Sequence, residues 1–100
     1  MKLEHKGTEY ELKYTYNSFR YMQDLDLGEL ELIESKPFRI IGFTEELLLG
    51  AINSDPRKKV TLAQVGEIVE AKMEEEKLVE LMEELIKLLE ESSFFKNLQK

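Results

Sequence analysis

The sequence contains no cysteine and only one histidine, His5. Without cysteine there are no disulfides, no thiolate metal ligands and no cysteine nucleophile. A lone histidine provides neither the cluster of ligands that a metal site needs nor the base that would activate a serine. The sequence therefore predicts no metal, no cofactor and no catalytic residues. We expect a binding protein and not an enzyme.

Basic residues are also scarce relative to acidic ones, with 14 Lys and Arg against 21 Asp and Glu and a formal net charge of −7. This balance disfavours nucleic acid and anionic membrane surfaces as partners. No apolar run approaches the roughly 20 residues that span a bilayer, and residues 1–10 lack the apolar core of a signal peptide. We expect a cytoplasmic protein whose partner is a basic or hydrophobic protein.

A chain of 100 residues, 42% of them hydrophobic, predicts a single domain. Residues 1–15 alternate between apolar and polar side chains around a turn at Gly7-Thr8, which predicts a β-hairpin. The positions on its apolar face are Leu3, His5, Tyr10, Leu12 and Tyr14.

Residues 16–91 show the spacing of a helical body. The class predicted for the whole chain is mainly α, with an N-terminal β-hairpin followed by four or so packed helices. The predicted helices are Asn17–Leu25, Pro37–Ile52, one that begins at the capping box of Thr61 and Gln64, and one that begins at Leu78. Two alternatives stay open: Phe38–Phe43 read alone suits a buried strand, and Glu74–Lys77 is either a break or part of one long helix.

The last helix has an unusually wide apolar stripe, made of Leu78, Leu81, Met82, Leu85, Leu88 and Leu89 and widened by Val79 and Ile86. Such a stripe is normally core, but a helix on a small core needs a narrower one. Residues 92–100 form a tail with two further aromatic residues. We therefore expect a partner, and self-association into a homo-oligomer, at this end of the chain. The residues predicted to contact the partner are Leu78, Leu81, Leu85, Leu88, Phe94 and Phe95.

Three polar groups are better explained by solubility than by chemistry. Asp24 and Asp26 lack the remaining ligands of a calcium loop. Glu74–Glu76 are consecutive helical residues that point in different directions, so they do not form a catalytic carboxylate pair. Arg57–Lys59 could contact an acidic partner, but a basic turn of three residues is usually a soluble loop.

The order of the motifs is informative. An aromatic segment, Tyr14–Arg20, follows the hairpin, and a central helix ends at Asn53–Pro56. Thr61-Leu62 then caps a further helix, and a Glu- and Leu-rich helix leads to a serine-plus-aromatic end. In this order and at this length, over nearly the whole chain, the sequence resembles the tail assembly chaperones of long-tailed bacteriophages that infect Gram-positive bacteria.

The resemblance implies a mostly helical, self-associating protein of the host cell cytoplasm that is absent from the finished virion. Such proteins bind the long, hydrophobic tape measure protein, keep it soluble and help recruit tail tube protein around it. Many are made in two lengths through a programmed frameshift. An alternative, from the charge alone, is a small acidic adaptor or inhibitor that masks a basic surface on a host or viral protein.

Overall fold

The computed structural model describes residues 1–32 and 35–98. Two antiparallel strands come first, β1 (Lys2–His5) and β2 (Thr8–Glu11). The helices that follow are α1 (Tyr16–Phe19), a 3-10 helix (Leu27–Leu32), α2 (Arg39–Ile52), α3 (Leu62–Glu74), α4 (Leu78–Glu91) and α5 (Ser93–Leu98). The predicted class, mainly helical with an N-terminal hairpin, is confirmed.

The hairpin pairs Leu3 with Tyr10 and closes through a two-residue turn. Lys6 and Gly7 occupy this turn with φ of 49° and 79°, the left-handed values that a type I′ turn requires. The turn therefore lies one residue earlier than predicted, because Thr8 already belongs to β2. Leu3 is buried, so the hairpin packs its apolar face on the helices.

The core lies around α2, which packs against α1, α3 and α4. The helix between Pro37 and Ile52 is confirmed as α2, so Phe38–Phe43 is not a strand. β1 and the helices α1 to α4 each contribute at least one buried side chain. The buried apolar residues are Leu3, Leu12, Tyr14, Met22, Phe43, Leu47, Leu48, Ala51, Ile52, Val65, Ile68, Val69, Leu81, Met82, Leu85 and Leu89.

A fully buried asparagine, Asn53, joins the end of α2 to the start of α3. Its Nδ2 donates to the carbonyl oxygens of Leu49 at 3.0 Å and Val60 at 2.9 Å, and its Oδ1 accepts from the Val60 N–H at 2.7 Å. Asn17 Nδ2 in turn donates to the Asn53 carbonyl at 2.7 Å. These bonds satisfy the buried polar groups of the loop and fix α1 against it.

The predicted helix from Asn17 to Leu25 is wrong in length, because α1 ends at Phe19. Beyond it the backbone continues in turns with N–H to C=O bonds three residues apart, such as Met22 to Phe19 at 3.1 Å. These turns bury the Met22 side chain against Gly50 of α2. Tertiary packing thus overrides the local helical spacing.

The interruption at Glu74–Lys77 is a break between two helices. Glu76 has φ of 59°, which no continuous helix contains, and α4 begins two residues later. The capping box of Thr61 and Gln64 is confirmed, since the Gln64 N–H donates to Thr61 Oγ1 at 3.2 Å and Thr61 N–H to Gln64 Oε1 at 2.8 Å. The predicted tail contains a short helix, α5, that the sequence pattern did not indicate.

Within residues 1–32 and 35–98, none of the helices combines the length and the apolarity that crossing a bilayer requires.

Candidate interaction surface

The wide apolar stripe of α4 is mostly core. Leu81 and Leu85 are buried, Leu85 completely, so neither is available to a partner while the chain is folded. Their place in the predicted contact set is corrected: the stripe looked too wide because α2, α3 and α5 all pack on α4. Leu78 and Leu88 are half-buried at the edges of the core.

The two aromatic residues of the tail have different outcomes. Phe95 is half-buried and packs against the edge of the core. The side chain of Phe94 lies outside the described part of the structure, so its predicted contact stays a prediction. Of the six predicted residues, the structure therefore brings Phe95 to an open apolar surface and leaves Leu78 and Leu88 partly accessible.

That open surface is an apolar groove. It lies between residues 14–27, which we call the α1 segment, and the residues Leu89 and Phe95, and we call it the α1–α5 groove. Its cavity volume is about 130 Å³. The lining residues are Tyr14, Ser18, Phe19, Met22, Leu25, Leu27, Leu89 and Phe95. An apolar cavity of about 150 Å³ in another protein takes up benzene, so this groove has room for about one aromatic ring.

The polar atoms at the floor of the groove are satisfied within the chain. The Tyr14 hydroxyl donates to the Leu47 carbonyl at 2.9 Å, and burial raises the pKa of the Tyr14 phenol above its usual value. Ser18 Oγ accepts from the Thr15 N–H at 3.0 Å and donates to the Lys13 carbonyl at 3.3 Å. The groove consequently offers an incoming group apolar contact and few hydrogen bonds.

The α1 side of the groove exposes aromatic surface. Phe19 is 42% exposed, and Tyr16 beside it is 70% exposed with the Arg20 guanidinium 6.0 Å from its ring centre. Exposed apolar residues that are grouped around a groove are more informative than single ones, because they mark binding surfaces.

A second, shallower depression adjoins the groove at Leu25, which lines both. Its other walls are Asp26, Phe38, Arg39, Gly42, Phe43 and Glu46. Phe38 is 87% exposed there. The apolar surface therefore continues from Phe95 past Leu25 to the start of α2, with charged side chains only in its second half.

The α1 side of this surface was not predicted from the sequence. The helical spacing of Phe19, Met22 and Leu25 predicts one helix from Asn17 to Leu25, and Leu27 lies beyond it. The position of Leu27 is a signal against one helix, because Leu27 cannot share a helical face with all three of these residues. In the structure the backbone continues in turns after α1, and these four side chains line the groove.

The polar groups considered for chemistry lie apart from the groove. His5 lies near Glu67, Glu70 and Glu74 of α3. The Asp26 carboxylate accepts from the Gly28 N–H at 2.9 Å. Across the described ranges, no three side chains of the types that bind metal are placed to hold an ion.

The basic loop is partly neutralised by its own neighbour. Arg57 Nη2 and Asp55 Oδ2 are 3.0 Å apart, and this contact lowers the pKa of the Asp55 carboxyl. The arrangement suits a solvated turn.

Comparison of the chain with protein-family models, with curated proteins and with solved structures finds no match.

Proposed function

We propose that this chain is a non-catalytic tail assembly chaperone. It binds and solubilises the tape measure protein in the host cytoplasm, helps recruit tail tube protein, self-associates, and is absent from the mature virion. The observation that carries the proposal is the α1–α5 groove, a ring-sized apolar site with exposed aromatic residues on its rim. The resemblance described above supplies the identity of the client.

The groove suits one side of an amphipathic helix. In helix-in-groove recognition, a few apolar side chains of the partner enter pockets while the rest of its surface stays in water. One aromatic or leucine side chain fits the α1–α5 groove, and the neighbouring depression at Leu25 receives a second contact one or more turns away. A long, hydrophobic helical client presents many such side chains, which favours a chaperone that binds repeatedly along it.

The acidic residues of α3 and α4 suit the same role. The glutamates of these helices from Glu74 onwards are exposed and leave the groove itself apolar. Negative charge on the outside of a complex opposes aggregation through like-charge repulsion. The chain can therefore cover apolar client surface and replace it with charged surface.

The test is co-expression with the tape measure protein of the source phage, followed by a pull-down and a measurement of soluble client. We expect the wild-type chain to copurify with soluble tape measure protein. Phe19→Asp places a charge on the groove rim, and we expect it to reduce the retained client by about tenfold or more, the effect of losing about 1.4 kcal/mol of binding.

Leu62→Asp is the matched control, because Leu62 is also exposed, at 56%, but lies at the start of α3 and lines no part of the groove. It should retain the client as the wild type does. Leu85 is unsuitable for such a test, since a charge at a fully buried position would unfold the chain. If tape measure protein stays insoluble beside a folded wild-type chain, the proposed client is wrong.

A second candidate function is an acidic adaptor that masks a basic surface. The observation that favours it is the run of exposed carboxylates at Glu74–Glu76, Glu83 and Glu84. For this function, changing these residues to glutamine should abolish partner binding, and binding should weaken steeply as salt rises. Retention that survives high salt and depends on Phe19 instead favours the chaperone.

A further inference from the structure

The helix α5 is a short element joined to α4 by one extended residue, Ser92, which we call the hinge. It has six residues, fewer than a helix needs to be stable by itself in water. Ser92 joins it to α4 with φ of −72° and ψ of 143°, an extended conformation that ends one helix before the next begins. Rotation at this one residue is enough to change the position of α5 without unwinding α4.

Local hydrogen bonds organise the hinge. Ser92 Oγ donates to the Leu89 carbonyl at 2.6 Å and accepts from the Phe95 N–H at 3.1 Å, and the Lys96 N–H donates to the Ser92 carbonyl at 3.1 Å. These bonds start α5 but run only within the segment 89–96. Among the described side chains of α5, Phe95 is the one that lines the groove and packs against the core.

Phe95 forms a wall of the groove and does not fill it, because about 130 Å³ remains open while Phe95 is in place. Phe19 and Met22 of the α1 segment line the same groove. The site is thus assembled from two segments that are far apart in the sequence, and one of its walls belongs to the element on the hinge.

We propose that α5 is a hinged wall that closes on an aromatic side chain bound in the α1–α5 groove. This inference rests on the groove being the client site proposed above. A ring in the groove gains aromatic contact from Phe95, so its binding favours the docked position of α5. By linkage, docking of α5 must raise the affinity for the ring by the same factor.

Toluene is the probe for this proposal, because it carries one aromatic ring and requires no tape measure protein. The full chain is labelled with ¹³C at its methionine methyl groups, which gives four signals, and among these residues only Met22 lines the groove. We expect toluene to shift the Met22 signal and to leave that of Met73, which is exposed on α3, unchanged.

Phe95→Ala removes the wall and Phe38→Ala makes the same change outside the groove. We expect Phe95→Ala to weaken toluene binding by about tenfold and Phe38→Ala to leave it unchanged, with both variants retaining the helical circular dichroism of the wild type. Equal or tighter binding to Phe95→Ala would overturn the proposal, since Phe95 would then be a bystander or a plug. A Met22 signal that does not respond to toluene in the wild type would overturn it as well.

The hinge itself is tested with Phe95→Trp. The sequence has no tryptophan, so this substitution introduces the only one. Toluene should move the emission of Trp to shorter wavelength as α5 closes. Unchanged emission would show a fixed wall, and emission at longer wavelength would show displacement of α5; either result overturns the proposal. These results are independent of the pull-down, so a wrong client and a wrong account of α5 are distinguishable.

Discussion

At the scale of single residues, the floor of the α1–α5 groove depends on the absence of a side chain at Gly50. A Cβ built there would lie 2.5 Å from Met22 Cγ and 3.3 Å from the Ser18 carbonyl oxygen. Met22 therefore occupies the space that any other residue in α2 would take. The groove is as deep as it is because Met22 can lie directly on the helix backbone.

This contact predicts that Gly50→Ala destabilises the fold even though alanine is the better helix former. Overpacking should cost about 1–3 kcal/mol in the free energy of unfolding measured with urea. Gly42→Ala is the control in the same helix, because a Cβ at Gly42 meets nothing within 4 Å. It should stabilise by up to about 1 kcal/mol. A stabilising Gly50→Ala would contradict the packing of Met22 described here.

The buried hydroxyl of Tyr14 predicts sensitivity to high pH. Burial raises the pKa of this phenol above the usual value of about 10, so the folded state favours the neutral form. This stabilisation is complete below about pH 10. Above that pH the Tyr14 phenol ionises in the unfolded chain but not in the folded one, so the free energy of unfolding falls by up to about 1.4 kcal/mol per pH unit.

Urea unfolding between pH 9 and pH 11 checks this, with Tyr14→Phe as the comparison. The variant loses the hydrogen bond to Leu47, at a cost of about 1 kcal/mol at pH 9, but its stability should fall less steeply above pH 10. Parallel curves for the two proteins would show that Tyr14 does not cause the loss.

At the scale of elements, the break between α3 and α4 occurs at a residue with a left-handed backbone conformation, Glu76. The break contains neither proline nor glycine. Glu76 adopts φ of 59°, a conformation that costs a residue with a Cβ about 1–2 kcal/mol. The break lets the two helices pack on α2 as separate elements, and a continuous rod could not bury both apolar faces against the same small core.

Glycine at this position should relieve that strain, so we expect Glu76→Gly to stabilise the chain by about 0.5–1 kcal/mol in urea unfolding. Glu74→Gly is the matched control two residues earlier, inside the last turn of α3, and should destabilise it by a similar amount. The two substitutions remove the same charge, which leaves backbone conformation as the difference between them. Equal effects of the two would contradict the left-handed position of Glu76.

The elements that could be predicted from the sequence are those whose signals are local. The capping box of Thr61 and the alternation in the hairpin depend on neighbouring residues, and both are found in the structure. The end of α1 at Phe19 depends on the fit of Met22 against Gly50, which are far apart in sequence, so the local pattern gave a longer helix. The α1–α5 groove was missed for the same reason, because its walls come from segments that are far apart in the sequence.

At the scale of the whole molecule, opposite forces act on self-association. The α1–α5 groove and the exposed Phe38 beside it favour contact between copies through their apolar surface. A net charge of −7 on each copy opposes that contact. The balance depends on ionic strength, because the repulsion is screened over about 10 Å at 0.1 M salt while apolar contact is not weakened.

The proposed homo-oligomer should therefore form more readily as salt rises. We expect light scattering across a concentration series to show a larger average mass at about 0.5 M salt than at about 0.02 M, because the screening length at 0.02 M is about five times that at 0.5 M. Phe19→Asp should remain monomeric at both salt concentrations, and Leu62→Asp should behave as the wild type does. A monomer at every concentration and both salt levels would refute self-association. An oligomer that instead dissolves as salt rises would show that charged contacts hold the copies together, and the exposed glutamates of α4 would then be the surface to map.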